Sequence, residues 1–412
     1  MSETIRPARE EDRDAIVDVV RHSFTSAIRP AEEWSREIWG QEDRGVEHMW
    51  VAEDGGEVVA TCYLLPFRQW VRGVPLRSAG VGGVAVSVTH RRRGLAARML
   101  REALVEARGR GVQASALFPF RAGFYQRLGY GLAGEADQVI VPPRAFPRLE
   151  EGPLVVAVRS PEGRAAVADF YAEWIRGQNG QIERSPSSWR RLLDPAGVGA
   201  VRVMEKEGGD TTGYAVFRPH IAGERRDRRL EVVEWAWSDD EARAALFDWA
   251  GSLADQWSRI AVRTRPVDRI LDRLREPRSD ETGSPGWELW FAASTRMRGP
   301  MFSILNVPEV LGSIRLTGDA AFTLEVRDDT LTENSGAWGV RVHDGAAEIE
   351  RGEAAGAPRL SLDVSTLARL VAGDLLPSEA AHVDLGRIDH PEALSALDAV
   401  FRTTSPWTFE RF

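Results

Sequence analysis

The run Val84-Ala85-Val86-Ser87-Val88-Thr89-His90 is apolar and β-branched, and it passes through Arg91-Arg92-Arg93-Gly94 directly into the helical pattern that opens with Leu95-Ala96-Ala97. Arg91 to Ala96 fits R-x-x-G-x-A. The start of a helix presents unpaired N–H groups and partial positive charge, a turn glycine lets the backbone approach a ligand, and flanking arginines add charge-assisted hydrogen bonds. Such a turn suits a pyrophosphate. The same short motif also serves as a plain solvated basic turn, so its surroundings must carry the assignment. Two further stretches hold chemistry. Phe124-Tyr125-Gln126-Arg127-Leu128-Gly129-Tyr130-Gly131 offers two phenols, and Ser405-Pro406-Trp407-Thr408-Phe409-Glu410-Arg411-Phe412 leads through aromatic side chains to an α-carboxylate.

Other reactive types are thinly spread. His90 precedes the arginines, where it reads as a neighbour of bound phosphate or a loop residue and not as a base. The single cysteine, Cys62, lies in an apolar strand-like run and reads as a small buried residue; it rules out internal disulfides and thiolate metal clusters. The seven histidines show no H-E-x-x-H or paired spacing, so no metal is expected. A net charge of −9 opposes nucleic acid as a partner of the whole chain, including through Arg91-Arg92-Arg93, and suits a cationic substrate. No apolar run approaches the roughly 18 residues of a membrane span. The charged start Met1-Ser2-Glu3-Thr4-Ile5-Arg6 lacks the apolar core of a secretory signal, so a cytoplasmic protein with no membrane partner is expected.

The elements that must position these groups follow from periodicity. Thr4-Ile5-Arg6 predicts a short strand, and residues 11–24 a helix with Ile16, Val17, Val20 and Phe24 on one face. Strands over 50–52 and 58–65 flank the hairpin turn Asp54-Gly55-Gly56, and 79–88 gives a third strand. Leu95, Met99, Leu100, Ala103, Leu104 and Ala107 form a helical stripe that Gly109 ends. Residues 112–118 read as a buried strand, 124–128 as a short helix stopped by Gly129, and 130–141 as a closing strand before Pro142-Pro143. The expected first domain is thus a mixed α/β unit over residues 1–150. A second unit over 151–297 echoes its order of elements without echoing its residues, a degenerate repeat. A third, over 298–412, pairs several strands with helices near 366–373 and 391–401, an α+β layer.

With strand, basic turn, helix and the Tyr125–Tyr130 stretch in place, the chain resembles the GCN5-related N-acetyltransferases (GNAT). Over its full length it is similar to the Eis (enhanced intracellular survival) family, through Thr89-His90-Arg91-Arg92-Arg93-Gly94-Leu95, the F-Y-x-R-x-G-Y-G stretch and the final phenylalanine. The resemblance implies an α/β (α+β) fold: two GNAT-fold domains, the second degenerate, and a C-terminal sterol-carrier-protein-like α+β domain. It implies acetyl-coenzyme A as co-substrate, no metal, a small-molecule amine as acceptor and a homo-oligomer, hexameric in the family. Carried over, Val84, Ala85 and Val86 offer backbone groups to the pantetheine arm. Arg92, Arg93, Gly94, Leu95, Ala96 and Ala97 cradle the pyrophosphate, while Phe120 and Arg121 line the coenzyme. Either Tyr125 or Tyr130 can stand near the thioester sulfur; Tyr125, in F-Y-Q-R, matches the family's general acid, and the α-carboxylate of Phe412 its general base. The second domain has Ser238-Asp239-Asp240-Glu241 where the first has its arginines, so one coenzyme per chain is expected.

The chemistry is consistent with these roles. A phenol with pKa about 10 can protonate a thiolate whose conjugate acid is near 8.5, although an aromatic-rich stretch also accommodates a purely packed tyrosine. An α-carboxylate of about 3.3–3.7 is a weak base against an alkylammonium near 10.4. It must orient a neutral amine, gain basicity by burial or act through water, unless the terminus is merely docked. Trp34, Trp39 and Phe24 can wall an acceptor pocket, and Glu32, Glu33 or Glu410 can supply it with negative charge. Arg411, Ser26 and Arg29 are not acidic and speak against a polycationic aminoglycoside. A non-catalytic acyl-coenzyme A or lipid binder that uses the third domain is the alternative.

Overall fold

The computed structural model describes residues 3–24, 30–40, 44–221, 228–279 and 291–410. The chain forms two compact units, one of residues Met1–Gly134, Asn179–Glu183 and Gly299–Phe412, the other of Glu135–Gln178 and Arg184–Arg298. The first segment runs β1 (Thr4–Pro7), α1 (Arg13–Ser23), α2 (Ala31–Trp39), β2 (Met49–Asp54), β3 (Glu57–Val71), β4 (Val74–Val86), α3 (Leu95–Gly109), β5 (Ala114–Leu117), α4 (Ala122–Gln126) and β6 (Gly131–Leu132). β1 to β4 are antiparallel neighbours, and β5 runs parallel to β4. Gly55 and Gly56 take φ of 63° and 88° in the β2–β3 turn, a backbone that favours glycine. A second hairpin, between β3 and β4, turns on Arg72 and Gly73.

The expected stripe of α3 is buried along its whole length, from Leu95 to Ala107. Burying each of its larger side chains contributes about 1.5–3 kcal/mol, which fixes the helix against one face of the sheet. Ile16, Val17 and Val20 of α1 join Trp34 and Ile38 of α2 in a separate core with Val51, Tyr63 and Ala85. Phe24, expected on the buried face of α1, instead lies past the helix end and is 38% exposed.

The second segment contains β7 (Glu135–Val141), β8 (Leu154–Ala157), α5 (Pro161–Trp174), α6 (Pro186–Leu193), β9 (Gly199–Met204), β10 (Thr211–Ile221), β11 (Arg228–Trp237), α7 (Asp240–Gly251), β12 (Arg259–Thr264) and β13 (Thr295–Arg298). Its sheet is ordered β13-β7-β12-β11-β10-β9-β8, and β11 and β12 repeat the parallel pairing of β4 and β5. The closing strand expected over 130–141 is two strands in two sheets. Gly134, at φ 110°, interrupts the extended run, so β6 stays in the first sheet while β7 pairs with β12 and β13.

The last segment contains β14 (Met301–Ile304), α8 (Val307–Ser313), β15 (Ala320–Arg327), β16 (Gly336–His343), β17 (Ala346–Arg351), β18 (Arg359–Asp363), α9 (Val364–Ala372), α10 (Pro377–His382), β19 (Gly386–Ile388) and α11 (Leu394–Phe401). β15 to β19 form a sheet of order β17-β16-β15-β18-β19, packed through Phe322, Leu324 and Val340 on Leu367, Leu370 and Phe401. β14, expected to open the third domain, lies in the first sheet, whose order is β1-β2-β3-β4-β5-β14-β6. All four of its residues are buried, as suits a central strand covered on both faces.

Candidate active site

The site begins where β4 and β5 part. Their pairing runs from Ser78↔Ala114 to Val81↔Leu117 and stops, while β4 continues to Val86. The cause is local. Thr61↔Ala85 and Tyr63↔Gly82 are successive partners of β3 and β4, so Gly83 and Val84 together face Cys62 in a β-bulge. Gly83 sits at φ 57°, and a Cβ on Gly82 would fall 2.2 Å from the Tyr63 hydroxyl oxygen and one on Gly83 2.8 Å from the Tyr63 ring, so the bend favours glycine at both positions. Beyond it, Ala85 packs into the core on the α1 side while Val84 and Val86 border the α3 core.

The turn after β4 opens into a helix with a bare N-terminus. Gly94 is the N-cap at φ 76°; no side chain among the described residues caps the first N–H groups of α3, and no acidic residue stands in its first turn. These are the unpaired donors and partial charge that attract phosphate. Arg91 and Arg93 brace the turn by donating to Val86 O and Thr89 O, each at 3.2 Å. Arg92, at φ 65°, makes no side-chain hydrogen bond or ion pair among the described residues. A Cβ on Gly94 would meet nothing within 4 Å, so the space before the helix is open. Uncapped donors, a spare guanidinium and open space fit a pyrophosphate. His90 braces the turn from behind, with Nε2 3.1 Å from Asp54 Oδ2 and Nδ1 2.8 Å from Thr89 Oγ1; Asp54 had carried no signal in the sequence beyond its hairpin turn.

The two phenols divide. Tyr130 is buried, and its hydroxyl lies 2.7 Å from Ser115 Oγ, which donates to Ala79 O at 2.8 Å. That chain ties Tyr130 to both parting strands. Tyr125 on α4 is 3% exposed and packs against Phe120, Phe124 and Tyr130 at centroid distances of 5.4, 4.9 and 6.0 Å. Its hydroxyl has no hydrogen-bond partner among the described residues. Burial, with the nearby Cys62 thiol, raises its pKa above the ordinary phenol value, so it remains protonated. Phe120 is 70% exposed at the rim and Arg121 is exposed beside it. Ser115, which singles out Tyr130 as the structural phenol, lies in a run read only as a buried strand; its polar atom in an apolar stretch was the one available signal.

In the second unit the corresponding helix start is filled by the protein's own acid. Asp239 caps α7, accepting from Ala242 N at 2.8 Å, and Asp240 stands in the first turn. Burial works against the Asp239 charge, but hydrogen bonds from Ala242 N, Ser238 and Glu241 N hold its pKa below the usual value. Beyond the end of the β11–β12 pairing, the buried Glu234 accepts from Arg184 at 2.7 Å and from the Tyr214 hydroxyl. An ion pair whose two side chains are 2% and 1% exposed therefore occupies this strand opening.

Phe412, Arg411, Ser26 and Arg29 lie outside the described residues. The chain end is buried as far as it is described: Trp407 and Thr408 are each 8% exposed, and Trp407 N donates to Asn179 O at 2.8 Å. Trp34 is buried in its helical core and Trp39 half-buried, while Glu32 and Glu33 are exposed and Glu410 half-buried. Among the described residues no His, Cys, Asp and Glu cluster is placed to hold a metal ion, and no helix is long and apolar enough to cross a membrane.

Comparison with known proteins matches residues 4–133 and 180–298 to acetyltransferase (GNAT) domains and 307–409 to a sterol carrier protein domain. The N-acetyltransferase Eis of Mycobacterium tuberculosis is 28% identical over 424 aligned positions, which cover 98% of each chain. An uncharacterized N-acetyltransferase of Streptomyces coelicolor is 32% identical over 64% of this chain and 67% of its own. In fold, the chain matches a GCN5-related N-acetyltransferase from Anabaena variabilis with a TM-score of 0.84 at 21% identity, all of both chains being covered. It matches an Eis structure from Mycobacterium abscessus at 0.79 and 22%, again over all of both chains.

Proposed function

Because the chain belongs to the Eis family of GCN5-related N-acetyltransferases, we propose that it transfers an acetyl group from acetyl-coenzyme A to a primary amine on a small molecule, with Tyr125 as general acid and the Phe412 carboxylate as general base. The observation that carries the assignment is the contrast between the two phenols. Tyr130 is engaged by Ser115, whereas the Tyr125 hydroxyl keeps its proton and has no partner among the described residues. Acetyl-coenzyme A supplies the acyl group as a thioester whose sulfur leaves as a thiolate. Val84, Ala85 and Val86, freed from β5, present backbone groups for the pantetheine arm, while the N–H groups of Arg92 to Ala97 and the Arg92 guanidinium hold the pyrophosphate. Phe120 and Arg121 flank the entrance.

Tyr125 gives its proton to the sulfur as the C–S bond breaks; because burial holds the phenol above a thiol of about 8.5, the transfer is uphill on its own and proceeds together with that cleavage, the phenolate being reprotonated by the proton the amine releases. The Phe412 carboxylate orients the amine and accepts its proton, directly or through water. On this reading residues 1–150 carry catalysis, 151–297 are a degenerate copy that binds no coenzyme, and 298–412 deliver the terminal carboxylate. The protein works in the cytoplasm as a homo-oligomer, hexameric by family resemblance. An amine panel with release of free thiol as readout tests the assignment. Turnover with a primary amine should fall about 10²–10⁴-fold in Tyr125→Phe; full turnover in that variant removes the phenol from the mechanism.

A further inference from the structure

The turn between β3 and β4 holds a buried cation that meets no carboxylate among the described residues. Arg72 is 5% exposed and sits at φ 49°. Its Nε donates to Val371 O at 2.7 Å and its Nη2 to Leu370 O at 3.0 Å, both in the last turn of α9, and Nη2 also reaches Phe401 O at the end of α11. One guanidinium therefore serves the negative ends of two helices, where orphan carbonyls and the helix dipoles replace a counter-ion. Burial pushes its pKa down only to about 10, so the cation persists at neutral pH.

Asn179 completes the node. Its side chain is buried; Oδ1 accepts from Arg72 N at 3.1 Å, and Nδ2 donates to Ala372 O at 2.7 Å and Thr404 O at 2.6 Å. Its backbone oxygen takes the Trp407 N–H at 2.8 Å. A single residue thus grips the chain end at two points, and Gln181 Oε1 takes a third, the Phe409 N–H at 3.4 Å. Close approach enforces the path. A Cβ on Gly180 would fall 2.7 Å from Trp407 N, and one on Gly373 2.8 Å from Thr404 O. The segment Asn179–Glu183 is itself fastened to β3, through Trp70 N to Gln181 O at 2.8 Å and Gln69 Nε2 to Gly180 O at 3.0 Å.

We infer that Arg72 and Asn179 are positioning residues for the acetyl transfer: together they fix the course of residues 402–410 against the β3–β4 hairpin and so set where the terminal carboxylate can act. The inference rests on the terminal-base reading above. A reacting group misplaced by about 1 Å loses on the order of 10²-fold in rate, whereas coenzyme binding, which uses β4, the arginine turn and α3, does not pass through the node.

The test uses the full chain and Asn179→Ala. Acetyl-coenzyme A affinity by calorimetry should stay within about twofold, kcat with an accepted amine should fall about tenfold or more, and hydrogen exchange at Trp407 and Phe409 should accelerate about tenfold while Ser115 to Leu117 remain protected. With one glycine added after Phe412, which already displaces the carboxylate, Asn179→Ala should cost less than about twofold further. Unchanged kcat, unchanged exchange at the chain end, or the same fold-loss in the extended chain overturns the positioning role. Full turnover by the extended chain alone overturns the terminal base instead, a separate result from a separate protein. If Asn179→Ala does not fold, Arg72→Lys keeps a cation at both helix ends while shortening the fork, and the same readouts apply.

Discussion

The rings of Tyr125 and Tyr130 meet edge to face, 6.0 Å between centroids, yet their hydroxyls lead different lives, one tied at 2.7 Å to Ser115 and the other unpartnered among the described residues. Removing each oxygen should therefore have opposite consequences. Tyr130→Phe should cost about 1 kcal/mol of stability and little turnover, because Ser115 keeps its bond to Ala79 O. Tyr125→Phe should leave the denaturation midpoint nearly unchanged and lower kcat. Paired urea melts and steady-state kinetics check this; a reversal of the two phenotypes would exchange their roles.

Gly94 is expected to tolerate a side chain sterically but not electrostatically. A Cβ there meets nothing within 4 Å, and φ of 76° strains any other residue by about 1 kcal/mol or more. Gly94→Ala and Gly94→Asp share that strain, so their difference isolates the charge. Calorimetry should show far weaker acetyl-coenzyme A binding in Gly94→Asp than in Gly94→Ala, with both folded. Equal affinity would show that phosphate does not seat on this helix start.

One glycine added after Phe412 moves the α-carboxylate by about 3.5 Å, beyond the roughly 3 Å reach of proton transfer. Turnover should drop sharply while coenzyme affinity holds. Amidation by semisynthesis removes the charge and keeps the ring, which separates chemistry from packing. Retained turnover in both forms would return Phe412 to a docked terminus.

Coenzyme stoichiometry should be one per chain, measured by calorimetry, because Asp239 already occupies the N–H groups that open α7. Reversing the charge of Asp239 and Asp240 should leave that number at one, since the Arg184–Glu234 pair still fills the strand opening. Loss of the cap should cost about 0.5–2 kcal/mol of stability. A second binding event in the native chain would refute the degenerate copy.

Stability should decline on the alkaline side. Burial raises the pKa of Tyr125, Tyr130 and Tyr214, and of the Cys62 thiol. The folded chain then holds protons that the unfolded chain releases from about pH 8.5 for cysteine and about 10 for tyrosine. The stabilisation is complete below those values and is lost as pH climbs through the folded pKa values. Arg72, pushed down to about 10, works the other way above that pH, one group against four. Urea unfolding from about pH 8 to 11 should show the fall, with a gentler slope in Tyr130→Phe; a flat profile would mean that these groups are not buried as described.

What the sequence made legible was local. The α3 stripe from Leu95 to Ala107 and the Gly55-Gly56 turn express periodicity and backbone freedom over a few residues, and both stand where they were expected. The arginine turn was readable for the same reason, since strand, glycine and helix start are contiguous. Illegible were the pairings set by distant partners. Met301–Ile304 announces that it is buried, but only the sheet decides that its neighbours are Ala114–Leu117 and Gly131–Leu132, far earlier in the chain. The split at Gly134 was hidden because a glycine between two apolar runs reads equally as an interruption or an ending. Arg72 carries no signal in the sequence, since nothing local reveals that two helix ends, roughly three hundred residues on, close around it.

The five residues Asn179–Glu183 belong to the first unit although the chain on either side of them belongs to the second. Recombination therefore cannot treat the two acetyltransferase-like halves as interchangeable cassettes. A chimera that replaces residues 135–298 in one piece discards Asn179 and Gln181 and leaves Thr404, Trp407 and Phe409 without the partners they meet there. Any working hybrid has to be spliced at four joints, or must import a donor sequence that already carries an asparagine at the same point. The degenerate copy is consequently tied by inheritance to the active one, whether or not it ever binds a ligand of its own.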